Sequence, residues 1–167
     1  KNDFAIKNIL DSVLPINMIT LNATVVDVGT GAGLPGIPLK ILRPDIKITL
    51  VDSLQKRVNF LKNVCEKLQL KDVICIHARV EDFCKINREK FDFSVSRAVA
   101  KLNTLCEYCL PLTKIGGKMI AYKSLKAEEE LADAKNAIAV LGGKLENIQN
   151  IIIKEENSIR TNIIIKK

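Results

Sequence analysis

At 167 residues, 47% of them hydrophobic and 27% charged, the chain has the balance of one ordinary globular domain, which excludes a disordered or collagenous protein. No apolar run approaches the roughly 18 residues that a membrane span needs, and Lys1-Asn2-Asp3-Phe4 carries no signal core, so a soluble, cytoplasmic protein without a membrane partner is expected. The surplus of 26 Lys and Arg over 19 Asp and Glu gives +7, which suits a polyanionic partner, although a solvated lysine-rich surface explains it equally.

Ile6, Ile9, Leu10, Val13 and Leu14 recur at helical spacing up to Pro15, which predicts an amphipathic helix over 3–14. The chain starts at Lys1 and not at Met; residues 1–20 therefore read as the end of a longer helical extension, and 21–167 as the domain proper. The run Thr24-Val25-Val26-Asp27-Val28, opening into Gly29-Thr30-Gly31-Ala32-Gly33, predicts a buried strand that ends in a tight turn. A short helix follows over 36–42, with Pro38 in its first turn and Pro44 past its end. The second strand is expected at 46–51, ending at Asp52. Ser53 then reads as the N-cap of a helix with the apolar stripe Val58, Leu61, Val64 and Leu68.

Further strands are expected at 73–76, 91–96 and 118–122, the last entered through a Gly116-Gly117 turn, with a helix around 102–110 before it. Leu131, Ala134, Ile138 and Leu141 mark one more helix, with Glu128, Glu129 and Glu130 at its positive end and Gly142 past its stop. Segments 148–153 and 159–165 flank the polar stretch 154–158 and read as an antiparallel hairpin. Alternating βα units require a mostly parallel sheet with helices on both faces. With the hairpin, the expectation is an α/β, Rossmann-like sheet of seven strands.

Ligands of such sheets bind beyond the carboxyl ends of the strands, which gathers the loop 29–33, Asp52, segment 78–82 and Arg97. Glycines 29, 31 and 33 let a ligand approach the main chain, and Asp52 can accept both hydroxyls of a ribose. Any tight βα turn can use glycine, but joined to an acid after the second strand the loop points to an adenosine-containing cofactor. Gly31-Ala32-Gly33-Leu34-Pro35-Gly36 also satisfies G-x-G-x-x-G, so a nicotinamide dinucleotide stays open on the loop alone. Asp27 would repel a pyrophosphate and suits a ligand carrying an ammonium and a sulfonium; the hairpin, too, is foreign to the dinucleotide plan. S-adenosylmethionine is therefore expected, and Arg97 can fork onto its carboxylate or onto an RNA phosphate.

The run Val26-Asp27-Val28-Gly29-Thr30-Gly31-Ala32-Gly33-Leu34-Pro35-Gly36-Ile37-Pro38-Leu39 resembles the RsmG (GidB) family of 16S ribosomal RNA guanine-N7 methyltransferases. Segments 50–61, 79–83 and 94–100 resemble it as well, so the likeness covers almost the whole chain. It implies a class I methyltransferase fold with Gly29 and Leu34 at the methionine end of S-adenosylmethionine, in the loop that also holds Asp27, Gly31 and Gly33. It further implies Asp52 on the ribose, Val80 and Glu81 at the adenine, Arg97 closing the site, and Arg97 and Lys123 toward the RNA. The implied partner is 16S ribosomal RNA or the small ribosomal subunit, met by a monomer.

Asn8 stands where the family carries a His ahead of Asp11-Ser12, and Lys123-Ser124 where a Lys-Gly pair is usual. Guanine N7 has a lone pair and no proton, so no general base is expected and no catalytic residue is assigned. His77, the only histidine, reads as an ordinary strand-end residue, and Cys106 and Cys109 as core, with no metal site. The five cysteines are odd in number and lie in apolar segments, which fits a reducing compartment. Lys56, Arg57, Lys62 and Lys67 make an exposed helix face that an RNA or plain solvent would satisfy. Two other functions use the same features: an NAD(P)-dependent oxidoreductase, and a non-catalytic RNA-binding module.

Overall fold

Apolar residues on both sides of a central strand demand cover on both sides, and the sheet has it. The computed structural model describes residues 2–97, 99–123, 127–153 and 158–167, and of 2–6, 152, 153 and 158 only the backbone. Helix α1 (Asn2–Val13) and a short turn of 3-10 helix (Ile16–Met18) lead into β1 (Thr24–Val28), α2 (Gly36–Leu42), β2 (Lys47–Asp52), α3 (Gln55–Lys67) and β3 (Val73–His77). Then come α4 (Val80–Ile86), β4 (Phe91–Arg97), α5 (Leu102–Cys109), β5 (Thr113–Lys123), α6 (Ala127–Val140), β6 (Lys144–Ile153) and β7 (Ser158–Lys166). The strands form one sheet in the order β3-β2-β1-β4-β5-β7-β6. The first five run parallel, and β7 is antiparallel to both β5 and β6, which is the expected α/β sheet with its terminal hairpin. The expected hairpin turn at 154–157 lies outside the described residues.

Period-two alternation sorts the core. Val26, Val28, Met119 and Ala121 meet Phe83, Leu105, Cys106 and Ile138 of α4, α5 and α6. Val25, Ile48, Leu50, Val95 and Ile120 meet Ile37, Leu39 and Leu61 of α2 and α3 on the other face. Strand order reverses between β1 and β4, so the crevice for a ligand opens at their carboxyl ends.

Several local expectations are corrected. Ser53 is not a cap: α3 is preceded by Leu54, with no side-chain cap, and the Leu54 N–H donates instead to Asp52 Oδ1 at 3.0 Å. Leu68 falls outside α3 and is half exposed, while Cys65 joins Val58 and Leu61 inside. Helix α4 was not expected, since only Phe83 and Cys84 face inward and seven residues are too few to show a period. Gly116 and Gly117 lie within β5, not in a turn before it. The Gly116 N–H donates to Lys167 O and Lys167 N–H to Gly117 O, so the strand continues through an irregularity opposite Phe91 and Phe93.

Helix α2 touches the sheet through Gly36. A Cβ there would overlap Leu50 and stand 2.8 Å from Asp27 Oδ2 and 3.2 Å from Ile48. Gly36→Ala should destabilise the fold by about 1–3 kcal/mol through overpacking. Urea unfolding reads this as a lower midpoint at constant slope; an unchanged midpoint would show that α2 has room to shift.

Candidate active site

The loop after β1 is braced from below by one carboxylate. Asp27, 0% exposed, accepts from Thr30 Oγ1 at 2.7 Å and from the Gly36 N–H at 2.8 Å, both on Oδ2. The amino end of α2 is thus already occupied by a carboxyl oxygen, in the place where a dinucleotide fold would seat its pyrophosphate. Burial raises the Asp27 carboxyl to about 7, against the pull of Thr30, Gly36 and the nearby Arg97. Its partners and burial make Asp27 a brace for the loop.

The remaining loop amides are also largely engaged. Gly29 and Thr30 donate to Val51 O at 2.9 and 3.1 Å, and Gly33 and Leu34 to Thr30 O at 2.9 and 3.0 Å. Gly31 donates to Asp52 Oδ2 at 2.9 Å. Asp52, 3% exposed, is held further by Leu54 N–H on Oδ1 and, at 3.4 Å, by Arg57 on Oδ2. Positive φ at Gly29 (68°) is what lets the chain leave β1 flat against this acid.

Two hollows open beside the loop and share Val99 as a wall. The smaller, of about 180 Å³, joins Gly29, Asp52, Val80 and Glu81 with Ala78 and Tyr108. Tyr108 Oη donates to Glu81 Oε1 at 3.3 Å. The larger, of about 540 Å³, takes Arg97 and Lys123 together with Asp11, Tyr122, Arg160 and Asn162. Gly31, Gly33 and Leu34 line neither hollow. A side chain on Gly33 would strike Ile37 and Leu61, so packing alone requires glycine there.

Arg97 Nη1 donates to Asn8 O at 3.3 Å, tying β4 to α1. Lys123 was expected to face a substrate, but its ammonium is engaged: it pairs with Glu130 at 2.7 Å and donates to Ala100 O at 2.7 Å. Glu130 also accepts from the Leu102 N–H at 2.8 Å, which ties α6 to the start of α5. His77 Nε2 meets only Ser53 O, at 3.1 Å. Sequence reasoning assigned no role to Val99, Tyr108, Asp11, Arg160 or Asn162. Val99 and Asp11 lie in stretches that resemble the family, and Asn162 is a polar residue beside the apolar run Ile163-Ile164-Ile165; Tyr108 and Arg160 carried no signal.

The chain is similar to known proteins in sequence and in fold. The family model GidB, described as rRNA small subunit methyltransferase G, matches residues 1–159. "Ribosomal RNA small subunit methyltransferase G" of Desulforamulus reducens is 51% identical, over 99% of this chain and 70% of the relative. The protein of the same name from Lactobacillus acidophilus is 49% identical, over 100% of this chain and 72% of its own. Among solved structures, M. jannaschii TYW2 in complex with AdoMet superposes with a TM-score of 0.76 at 19% identity, covering 96% of this chain and 76% of that one.

The burial of Asp27 has a pH signature. Its carboxyl takes up a proton more readily folded than unfolded, so between about pH 4 and pH 7 the folded state binds more protons. The stabilisation is complete below 3.8 and is lost as the pH rises through about 7. Relative to Asp27→Asn, which does not titrate, the native chain should lose up to about 4 kcal/mol across that window. Parallel stability curves by urea titration would contradict the buried carboxyl.

Proposed function

This chain belongs to the GidB family, rRNA small subunit methyltransferase G, and we propose that it transfers a methyl group from S-adenosylmethionine to N7 of a guanine in small-subunit ribosomal RNA. The observation that carries the reading is the smaller hollow, where a buried acid stands against bare glycine backbone. Asp52 Oδ1 accepts a single bond from the protein and keeps a lone pair for a sugar hydroxyl. Gly29 presents no side chain, and Val28, Val51, Ala78, Val80 and Val99 supply apolar wall beside the polar Ser53, Arg79 and Glu81, a mixture that suits a purine and a ribose. The residues present therefore fit the cofactor, with Asp52 on its ribose, Val80 and Glu81 at its adenine, and Gly29 beside its sulfur end. A dinucleotide is disfavoured because Asp27 already occupies the amino end of α2.

When bound, S-adenosylmethionine supplies an electrophilic methyl group on sulfur, and the acceptor's lone pair forms the new bond as the old bonding pair leaves with sulfur. Guanine N7 has no proton to lose, so the chain's residues need only bind, orient and exclude water. Val99 separates the hollows and lies over Gly29, where it can shield the reacting atoms. The larger hollow is the acceptor's side. Its walls carry Arg97, Lys101, Lys123 and Arg160 against Asp11 and Glu130, an excess of positive charge that suits a phosphate backbone.

Among the described residues no helix is long and apolar enough to cross a membrane, and all five cysteines are free thiols; with a ribosomal substrate, these support a cytoplasmic site of action.

Asp52→Ala should weaken S-adenosylhomocysteine binding by about 2–3 kcal/mol through lost charge-assisted bonds. Calorimetry, with NADH as the control ligand, measures it. Unchanged affinity would misplace the ribose, and heat with NADH alone would overturn the reading. Arg97→Ala should lower methyl transfer to unmodified small-subunit RNA while leaving the melting temperature near that of the native chain, because among the described residues its guanidinium makes only a long bond to Asn8 O. A loss of stability like that of a core deletion would make Arg97 structural.

A further inference from the structure

We propose that Asn162 reads the acceptor base, its amide donating to O6 of the guanine whose N7 is methylated. The inference rests on the reading that the larger hollow receives the acceptor.

Asn162 stands directly opposite Tyr122 in the β5–β7 register, so both side chains leave the same face of the sheet. Helix α1 covers that face, with Tyr122 Oη donating to Ser12 O at 2.8 Å. Asn162 lines the cavity of about 540 Å³ and is 1% exposed. Its Nδ2 is buried without a hydrogen-bond partner among the described residues. A buried amide in that state is costly, and it is explained where a ligand completes it.

A second unpartnered atom belongs to the same cavity. Asp11 Oδ1 is buried and accepts nothing among the described residues, while Asp11 Oδ2 accepts from Arg160 Nε at 2.7 Å. One donor and one acceptor are thus left over in the lining of a single pocket. Guanine supplies their complements: O6 accepts, and N1–H and the 2-amino group donate. Adenine places an amino group where guanine has O6, which sets donor against donor at Asn162. In guanine O6 and N7 share one edge, so an amide held on O6 also fixes the direction of the N7 lone pair.

The test uses the whole chain, tritiated S-adenosylmethionine and unmodified small-subunit RNA, with S-adenosylhomocysteine calorimetry to show that each variant is folded. Asn162→Ala should lower kcat/KM about tenfold or more with cofactor affinity unchanged. Asn162→Asp, of the same size but with only acceptors, should fall below Asn162→Ala, because its carboxylate repels O6. A merely structural role predicts that kcat/KM falls only as far as thermal stability and cofactor affinity fall, since an unpaired buried carboxylate costs the fold more than Ala does. That parallel loss in both variants, or a native kcat/KM in either, overturns the proposal. Should Asn162→Ala not bind the cofactor, Asn162→Asp against the native chain decides alone. A native chain that binds no S-adenosylhomocysteine, or labels no RNA, instead removes the functional reading beneath it.

Discussion

The site depends on the two hydrogen bonds that Asp27 Oδ2 receives from Thr30 and from the first amide of α2. A carboxylate at that depth has lost its hydration, and the loop's own donors replace part of what water supplied. The result is a turn whose shape is set from beneath. Gly29 is presented flat, Gly31 reaches Asp52, and Gly36 lets the helix close onto the sheet. Occupying the helix terminus from inside also determines what the turn can bind. Its positive end is already satisfied, so a neutral sugar and a sulfonium suit it better than a diphosphate.

From that turn the division of labour follows. The smaller hollow presents a buried acid beside apolar residues, while the larger one is lined by cations and by polar atoms that lack partners among the described residues. Val99 stands between them. Elements far apart in sequence build the larger hollow, from Asp11 on α1 to Asn162 on β7. The terminal hairpin is therefore part of the acceptor's side, because β7 inserts between β5 and β6 and brings Asn162 opposite Tyr122.

The strands were legible because burial on both faces leaves nearly continuous β-branched runs, as in Thr24–Val28, and because glycines and prolines punctuate them. What escaped was short or irregular. Helix α4 has two inward residues in seven, and Gly116-Gly117 reads as a turn in isolation, although bonds to Lys167 keep it within the strand. The cofactor side was half legible: Asp52, Gly29, Val80 and Glu81 do meet in one hollow. Asp27 points inward and Gly33 abuts Ile37 and Leu61, since a motif shows which residues are near a ligand but not which way they face. Lys123 was placed by the family resemblance, and its partner Glu130 could be known only from the packing of α6 against α5. The acceptor side was the least legible, because its residues come together only in three dimensions.

The central claim is that a sulfonium nucleoside sits with its ribose on Asp52 and its sulfur beside Gly29. A crystal structure of this chain grown with S-adenosylhomocysteine tests it most directly. The account predicts both ribose hydroxyls within hydrogen-bonding distance of the Asp52 carboxylate, and the sulfur directed past Val99 toward Asn162. A ribose bound elsewhere, or an empty hollow at saturating ligand, would contradict it.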